Sequence, residues 1–439
     1  AVNAGVDSDL GTNVYAEQLV AAVRKGDVAM ETVDKAVRRI LSLKFHMGLF
    51  DAPFVDDKRP AQLVASPEHI GLAREVARQS IVLLKNEDKL LPLKKDIRTL
   101  AVIGPNADNG YNMLGDYTAP QADGSVVTVL EGIRQKVSKD TRVLYAKGCA
   151  VRDSSRTGFA DAIEAARSAD VVVMVVGGSS ARDFSSEYEE TGAAKVSANR
   201  VSDMESGEGY DRATLHLMGR QLELLEEVRK LGKPMVLVLI KGRPLLMEGV
   251  IQEADAILDT WYPGMQGGNA VADVLFGDYN PAGRLTLSVP RSVGQLPVYY
   301  NTKRKGNRSR YIEEAGTPRY PFGYGLSYTT FSYTGMKVRV SEESNHCRVD
   351  VSVTVRNQGT VDGDEVVQLY LRDEVGSFTT PDRQLRAFSR VRLKAGETRE
   401  ITFTLDKKSL ALYMRDGEWA VEPGRFTVMA GGSSEDIAC

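Results

Sequence analysis

Two kinds of hydrophobic periodicity divide the chain. Up to about residue 290, stretches with apolar residues at helical spacing alternate with short, almost wholly apolar runs of the kind that form strands buried on both faces. After about residue 335, apolar and polar residues alternate one by one, as they do in strands with a single buried face. The pattern therefore predicts a layered α/β region followed by an antiparallel β-sandwich.

The α/β region contains five apolar runs, and the helical stretches between them have the character of parallel crossover connections. Helices should therefore cover both faces of one sheet. We expect strands at residues 99–104, 142–148, 170–178, 234–242 and 256–264.

In the β-region, three groups of alternating residues should point into a core, and turn sequences such as NQGT and KAGE separate the groups. Residues 298–334, which precede this region, are rich in aromatic residues, Gly and Pro without a sustained period, and this predicts a packed linker. The three groups are Val349, Val351, Val353 and Val355; Val367, Leu369 and Leu371; and Ile401, Phe403 and Leu405.

The first fifty residues predict two amphipathic helices, which end at Gly26 and Gly48. Two helices with one-sided apolar stripes cannot form a core by themselves. Either they are the end of a larger unit whose beginning is not in the sequence, or they dock onto the domain that follows.

Length and composition narrow the class of protein. With 439 residues, the chain exceeds the roughly 250–300 residues that a single core supports, so two or three domains are expected. The formal net charge of −3 provides no field that would concentrate nucleic acid, so we expect no nucleic-acid partner. No apolar run approaches the ~20 residues that cross a bilayer, and we expect neither a membrane segment nor an export segment.

Neither the cysteines nor the histidines have the spacing of metal ligands, and the odd number of cysteines does not suggest a disulfide framework. We therefore expect no metal and no cofactor. These residues are Cys149, Cys347, Cys439, His46, His69, His216 and His346.

Residues 179–211 are the strongest candidate for chemistry, because strand-to-helix loops in compact domains usually have about 2–6 residues and a long polar one is commonly functional. The loop follows a predicted central strand, where open α/β sheets bind ligands. Glu208 lies between two glycines, which would let its carboxylate approach a partner closely. The alternative is a solvated acidic loop in which Asp211 caps a helix that begins near Ala213. The loop's other charged candidates are Arg182, Glu187, Glu189, Glu190, Glu205 and the adjoining Arg212.

Three glycines, Gly264, Gly267 and Gly268, follow another predicted strand and open a helix. They match neither GxGxxG nor the P-loop pattern, so tight strand-to-helix packing is a better interpretation than phosphate binding.

Four larger side chains lie at or just after the ends of two predicted strands, those at residues 234–242 and 256–264. Trp261 and Tyr262 could stack on a sugar ring or be buried, whereas Lys241 and Arg243 could reach the rim of a site or be solvated.

Taken together, nine motifs resemble glycoside hydrolase family 3, the family of β-glucosidases, β-xylosidases and related exo-acting enzymes. They occur in family order across nearly the whole chain, which makes the resemblance specific. The motifs are AGVDSDL, AVRRILSLKFHMGLFD, AREVARQSIVLLKN, IGPNAD, SGEGYDRATLHL, KGRPL, WYPGMQGGNAVADVLFGDYNPAGRLTLSVP, PFGYGLSYTTFSY and VRNQGTVDGDEVVQLYL.

The resemblance implies a three-layer (α/β)6 sandwich domain followed by a fibronectin type III-like β-sandwich, preceded by the last helices of a truncated (β/α)8 barrel. The corresponding boundaries are residues 1–50 for the barrel remnant, 51–66 for a linker, 67–297 for the (α/β)6 domain, 298–334 for a second linker and 335–439 for the fibronectin-like domain.

The chain departs from the family in one respect. The family's nucleophile is an aspartate in an SDW-like motif of the barrel, and no SDW occurs here. The resemblance therefore implies the C-terminal part of a retaining β-glycosidase, with the barrel missing and the general acid/base supplied by Glu208. Glu205 is the second choice, and by itself the chain is expected to be inactive.

The resemblance also implies the partners and the location. The substrate would be a β-linked oligosaccharide or glycoside, the partner domain would be the missing barrel, and the protein would be periplasmic or secreted. A β-glucosidase is the first expectation; a β-xylosidase or a non-catalytic carbohydrate-binding or scaffold protein is the alternative.

Overall fold

The computed structural model describes residues 1–181, 203–208, 211–303, 311–343 and 346–439. These residues belong to two compact units, of which the first contains residues 1–71 and the second begins at Leu72. No helix within the described ranges is both long enough and apolar enough to cross a membrane.

The first unit is helical. A 3₁₀ helix at Val2–Ala4 precedes α1 (Val14–Lys25), α2 (Met30–His46) and the short α3 (Arg59–Leu63). The two helices expected from the sequence are thus confirmed. Their apolar stripes are largely open to solvent, because α1 has no buried residue and α2 buries only Ala36.

We expect α1 and α2 in the isolated chain to exchange their amide hydrogens faster than the central strand at residues 171–177. Few buried apolar contacts support the two helices, whereas that strand is almost completely buried, and local opening is easier where such contacts are few. Hydrogen exchange followed by mass spectrometry measures the difference. Equal protection of helices and strand would contradict this prediction.

The second unit contains a six-stranded sheet in the order β1-β6-β5-β4-β2-β3. All five expected strands are present, and they run parallel as predicted. A sixth strand, β1, was not predicted; it runs antiparallel to β6 at the edge of the sheet, and a short apolar run alone does not separate a strand from a buried helix. The strands are β1 (Val82–Asn86), β2 (Thr99–Ile103), β3 (Arg142–Ala146), β4 (Val171–Gly177), β5 (Met235–Ile240) and β6 (Ala256–Trp261).

Helices cover both faces of this sheet and make three layers. Alternate residues of β4 enter opposite cores: Val172 and Met174 pack with α7 and α8, and Val173 and Val175 pack with α6 and α10. The three-layer architecture expected from the sequence is confirmed. The helices are α4 (Pro67–Ser80), α5 (Gly110–Leu114), α6 (Val129–Lys136), α7 (Phe159–Arg167), α8 (Gln221–Arg229), α9 (Val250–Glu253) and α10 (Gly267–Leu275), with 3₁₀ turns at Glu87–Lys89 and Val293–Gln295.

A buried carboxylate joins three of these helices. Asp273 of α10 accepts two hydrogen bonds from Arg74 of α4, at 2.7 and 2.6 Å, and one from Lys136 of α6, at 2.5 Å. Burial by itself would raise the pKa of Asp273, but the hydrogen bonds from Arg74 and Lys136 outweigh it and lower the pKa below its ordinary value. The charged form of Asp273 therefore stabilises the packing of α4, α6 and α10.

Replacing Asp273 with Asn should lower the free energy of unfolding at pH 7 by about 3 kcal/mol, because Arg74, Arg78 and Lys136 lose the buried anion that they share. A carboxylate whose folded pKa is depressed contributes its stability above the unfolded value, near 3.8, and loses it as the pH falls through the lower folded pKa. The difference in the free energy of unfolding between wild type and Asp273→Asn should thus be constant from pH 5 to 7 and shrink below pH 4. Urea unfolding at several pH values measures it, with the exposed Asp140→Asn as control; a difference that persists unchanged at pH 2.5 would contradict the prediction.

The C-terminal β-region consists of two three-stranded antiparallel sheets, β10-β9-β14 and β11-β8-β7, and a small hairpin, β12-β13. The predicted inward-facing groups occupy its core, with Ile401 partly buried at the margin. The strands are β7 (Phe331–Glu343), β8 (His346–Asn357), β9 (Gly363–Asp373), β10 (Gln384–Leu393), β11 (Thr398–Leu405), β12 (Leu412–Tyr413), β13 (Trp419–Ala420) and β14 (Phe426–Gly431), and a short helix, α11 (Lys407–Leu410), follows β11.

Polar residues of β9 connect the β-sandwich to the α/β layers. Glu365 accepts a hydrogen bond of 2.9 Å from Arg284, and Gln368 donates one of 3.1 Å to the carbonyl of Gly323. Tyr370 is fully buried, and its hydroxyl donates to Gln368 at 2.5 Å. Strand β9 is therefore buried on both faces, although its sequence alternates like that of a strand with one buried face.

Candidate active site

The candidate site lies at the edge where the parallel strands end. From β2 the chain crosses to β3 on one side, and from β4 it crosses to β5 on the other, so the loops that follow β2 and β4 separate at this point. Such a topological switch point is where open α/β sheets form a crevice for ligands. The long loop predicted at residues 179–211 begins here.

A chain of buried hydrogen bonds joins the two loops. The Asn106 side chain donates to the Gly178 carbonyl at 3.1 Å, and Asn112 donates to the Asn106 side-chain oxygen at 2.7 Å. The hydroxyl of Ser179 donates to Asn112 at 2.7 Å. These amide and hydroxyl groups fix the start of the long loop to the loop after β2.

Glu205 is buried in an ion pair with Arg212. The Arg212 Nη1 and the Glu205 Oε1 lie 2.9 Å apart, and the two side chains are 1% and 0% exposed. Burial raises the pKa of the Glu205 carboxyl, although the guanidinium groups of Arg212, Arg152 and Arg243 act in the opposite direction. The carboxylate packs against Gly178, where any Cβ atom would overlap it.

Glu208 has the opposite environment. This residue is exposed, and its backbone N–H donates to the Asp116 carboxylate at 3.1 Å. Gly207, which precedes it, has φ 151°, a conformation that favours glycine, and a Cβ there would overlap Met204. An exposed carboxylate on a backbone held in this way can give a proton to a ligand or take one from it.

The expected helix near Ala213 is not formed; α8 begins at Gln221 and has Arg220 at its N-cap. Asp211 therefore caps no helix, and it lies 3.3 Å from Arg243 instead. The reason is that Arg212 binds the carbonyl oxygens of Thr214 and His216, which a helix would need for its own hydrogen bonds.

Several predicted members of the loop cannot be compared with the structure. Arg182, Glu187, Glu189, Glu190 and Gly209 lie outside the described residues.

Lys241 is not solvated, contrary to the expectation from its position after a strand. It is fully buried, 2.7 Å from the Asp259 carboxylate, and its ammonium lies 3.9 Å from the centre of the Trp261 ring. Trp261 has φ 55°, which turns the chain at the end of β6. Tyr262 is partly buried, and burial raises the pKa of its hydroxyl. Trp261 thus covers a buried ion pair.

Gly267 and Gly268 serve packing, as predicted, whereas a Cβ at Gly264 would meet no neighbour and that residue instead has φ 76°. A Cβ at Gly268 would overlap the backbone of Thr128, and one at Gly132 of α6 would overlap the backbone of Gly268 itself. The two helices α6 and α10 meet through these positions.

The cysteine and histidine residues form no metal-binding group among the described side chains. Cys149 and Cys439 are free thiols, and burial raises the pKa of Cys149 to about 12. His216 instead lies 3.1 Å from Glu248.

Sequence reasoning missed the residues after β2 that support the site: Asn106, Asn112 and Asp116. The only sequence signal was the motif IGPNAD, which contains Asn106. Tyr117, next to Asp116, was also missed; it is 78% exposed and has φ 57°, which is uncommon for a residue with a bulky side chain.

Comparison with known proteins agrees with this architecture. The model of the glycosyl hydrolase family 3 C-terminal domain matches residues 81–328, and that of a fibronectin type III-like domain matches residues 365–434. The chain is 39% identical to a periplasmic beta-glucosidase of Salmonella typhimurium and 40% identical to a beta-xylosidase of Formosa agariphila. It aligns over 100% and 99% of its own length but over only 59% of each relative.

A crystal structure of the beta-glucosidase from Listeria innocua in complex with glucose superimposes with a TM-score of 0.86 at 32% identity, covering 99% of this chain and 58% of that one. A second structure, of the b-glucosidase EmGH1 from Erythrobacter marinus, gives the same TM-score at 38% identity and the same coverage. With a family model that matches more than half of its residues, the chain belongs to glycosyl hydrolase family 3.

Proposed function

We propose that this chain supplies the general acid/base half of a retaining, exo-acting β-glycosidase, with Glu208 as the acid/base and a β-glucosidase as the whole enzyme. The observation that carries the proposal is the position of Glu208, an exposed carboxylate held by its backbone at the switch point of the sheet. Its substrates would be terminal, non-reducing β-linked sugars.

Retaining hydrolysis needs two carboxyl groups about 5–5.5 Å apart. Glu208 would protonate the glycosidic oxygen as the bond to the sugar breaks, and would then take a proton from the water that releases the sugar. The nucleophile would be an aspartate of the (β/α)8 barrel domain of the complete enzyme, since these 439 residues contain no SDW-like motif.

Glu208 is preferred to Glu205 because a proton donor must reach the leaving oxygen. Glu208 is exposed, whereas the Glu205 side chain is enclosed by this chain's own residues and paired with Arg212. Using Glu205 as the donor would require that buried pair to separate, which leaves a charge buried without its partner.

A β-xylosidase is the alternative, supported by the similarity to a beta-xylosidase at an identity of 40%. Glucose carries a hydroxymethyl group that xylose lacks. The proposed barrel would bind the sugar ring that carries this group, so the choice between the two sugars would be made mainly there. A periplasmic or secreted location is proposed from the relative that is named a periplasmic beta-glucosidase.

The complete enzyme is expected to release β-glucose first from 4-nitrophenyl β-glucoside, because two displacements at the anomeric carbon restore its configuration. Proton NMR of the anomeric signals in the first minutes measures this, and the ratio of kcat/KM for the glucoside and the xyloside chooses between the two activities. Initial release of the α-anomer would exclude the retaining mechanism.

A further inference from the structure

The ion pair between Glu205 and Arg212 is close in sequence to Glu208, the proposed acid/base, but it takes no part in the proton transfers proposed for that residue. Both side chains are shielded from solvent, so neither contacts a substrate in this arrangement. A buried charge without its partner is strongly unfavourable, and each member therefore holds the other in position.

Each partner is attached to a different segment of chain. The Glu205 N–H donates to the Ser179 carbonyl at 2.8 Å, which fixes it beside the end of β4. Arg212 donates from Nε to the Thr214 carbonyl at 2.9 Å and from Nη2 to the His216 carbonyl. The pair therefore connects the end of the central strand to the segment that follows Glu208.

Glu208 lies between these two anchors, and its own N–H is bound to Asp116 at 3.1 Å. The Arg152 guanidinium adds a further contact, because it donates to the Met204 carbonyl at 2.6 Å. The backbone from Met204 to Glu208 is thus fixed by the side chains of Asp116 and Arg152 and by the Ser179 carbonyl, while the Glu208 residue itself is exposed.

We propose that Glu205 and Arg212 form a positioning clamp for Glu208, so that Glu205 influences the reaction only through Glu208 and never exchanges a proton with the substrate. The proposal rests on the proposed role of Glu208. Because a misplacement of about 1 Å can cost about 10²-fold in rate, loss of the clamp should be visible in the kinetics.

The test is a double-mutant cycle in the complete enzyme with Glu205→Gln, Glu208→Gln and both together. Cellobiose, whose leaving group needs protonation, is compared with 2,4-dinitrophenyl β-glucoside, whose leaving group does not. Glu205→Gln should lower kcat/KM on cellobiose by about 10–100-fold and lower kcat/KM on the activated substrate much less. Once Glu208→Gln is present, adding Glu205→Gln should change kcat little, because the residue through which it acts is gone.

A second variant and a control accompany the cycle. Arg212→Lys keeps the charge but loses the forked contacts to Thr214 and His216, so it should reproduce the effect of Glu205→Gln even if the latter folds poorly. Glu223→Gln removes the partly exposed ion pairs with Arg220 and Arg156, which are remote from the clamp, and should leave activity unchanged. Melting temperatures of all variants are measured alongside.

Two results would overturn the clamp: a further tenfold loss from Glu205→Gln in the Glu208→Gln enzyme, or no loss in either clamp variant. A different result, equal losses of kcat/KM on both substrates in Glu208→Gln, would instead overturn the proposed role of Glu208.

Discussion

Replacing Glu208 with Gln is expected to reduce kcat of the complete enzyme on cellobiose by about 10²–10⁴-fold, the usual contribution of general acid–base catalysis. Bond cleavage in 2,4-dinitrophenyl β-glucoside should be affected far less, because a phenolate with a low pKa leaves without protonation. A series of aryl glucosides with different leaving groups measures this split. Loss of a residue that only binds substrate would slow the whole series alike.

Azide gives a second test of the same residue. In the Glu208→Gln variant, water is no longer deprotonated for the second step, and a small anion that needs no deprotonation can replace it. Added azide should therefore partly restore turnover of the activated substrate and yield the β-glucosyl azide, which chromatography detects.

A control variant accompanies Glu208→Gln, and two outcomes would contradict the assignment of Glu208 as the acid/base. Glu248→Gln, which removes an exposed glutamate beside His216, should show neither the split nor the rescue. If Glu205→Gln shows both while Glu208→Gln behaves like wild type, the acid/base has been assigned to the wrong carboxylate. If neither variant shows them, the loop is not catalytic.

The 439-residue chain by itself is expected to hydrolyse neither 4-nitrophenyl β-glucoside nor 4-nitrophenyl β-xyloside at a detectable rate. Without a nucleophile, only acid catalysis remains, and its contribution of about 10²–10⁴-fold is small beside the total acceleration of typical enzymes, about 10⁶–10¹⁷-fold. Release of nitrophenolate at high protein concentration over several hours measures the residual rate.

A folded but inactive chain is the expected state, so the assay needs a measure of folding. Circular dichroism and a cooperative melting transition serve this purpose, because the sheet and the sandwich contain their own cores. Clear turnover that disappears when a carboxylate of this chain is replaced would show that both catalytic groups lie within these residues.

Much of the fold could be predicted from the sequence because periodicity reports burial locally. The valines from Val349 to Val355 alternate along one strand and all face the core, as expected. The five parallel strands were found for the same reason, since each is an apolar run between helical stretches. Strand β1 was missed because its short run carries no period and its partner, β6, lies far away in sequence.

The candidate site was predicted only in part. The loop, its place after a central strand and the choice of Glu208 came from its polar composition and its resemblance to a family motif, and the role of Glu208 remains a prediction. Asp116 could not be found in this way, because nothing near it in sequence indicates that it binds the Glu208 backbone from the loop after a different strand.

The sequence by itself determined most of the helices and strands and the core-facing residues of the predicted β-sandwich groups, because these follow from neighbours a few positions away; β1 and the absent helix near Ala213 are exceptions. Only the tertiary structure decided which polar side chains are buried. Glu205 and Glu208 look alike in the sequence, yet one is enclosed beside Arg212 and the other is exposed. Lys241 and Gln368 likewise occupy positions that suggest solvent, but distant segments surround them with a carboxylate or with carbonyl oxygens. Burial of a charge or an amide depends on partners brought together by the chain's path, and no local pattern records that path.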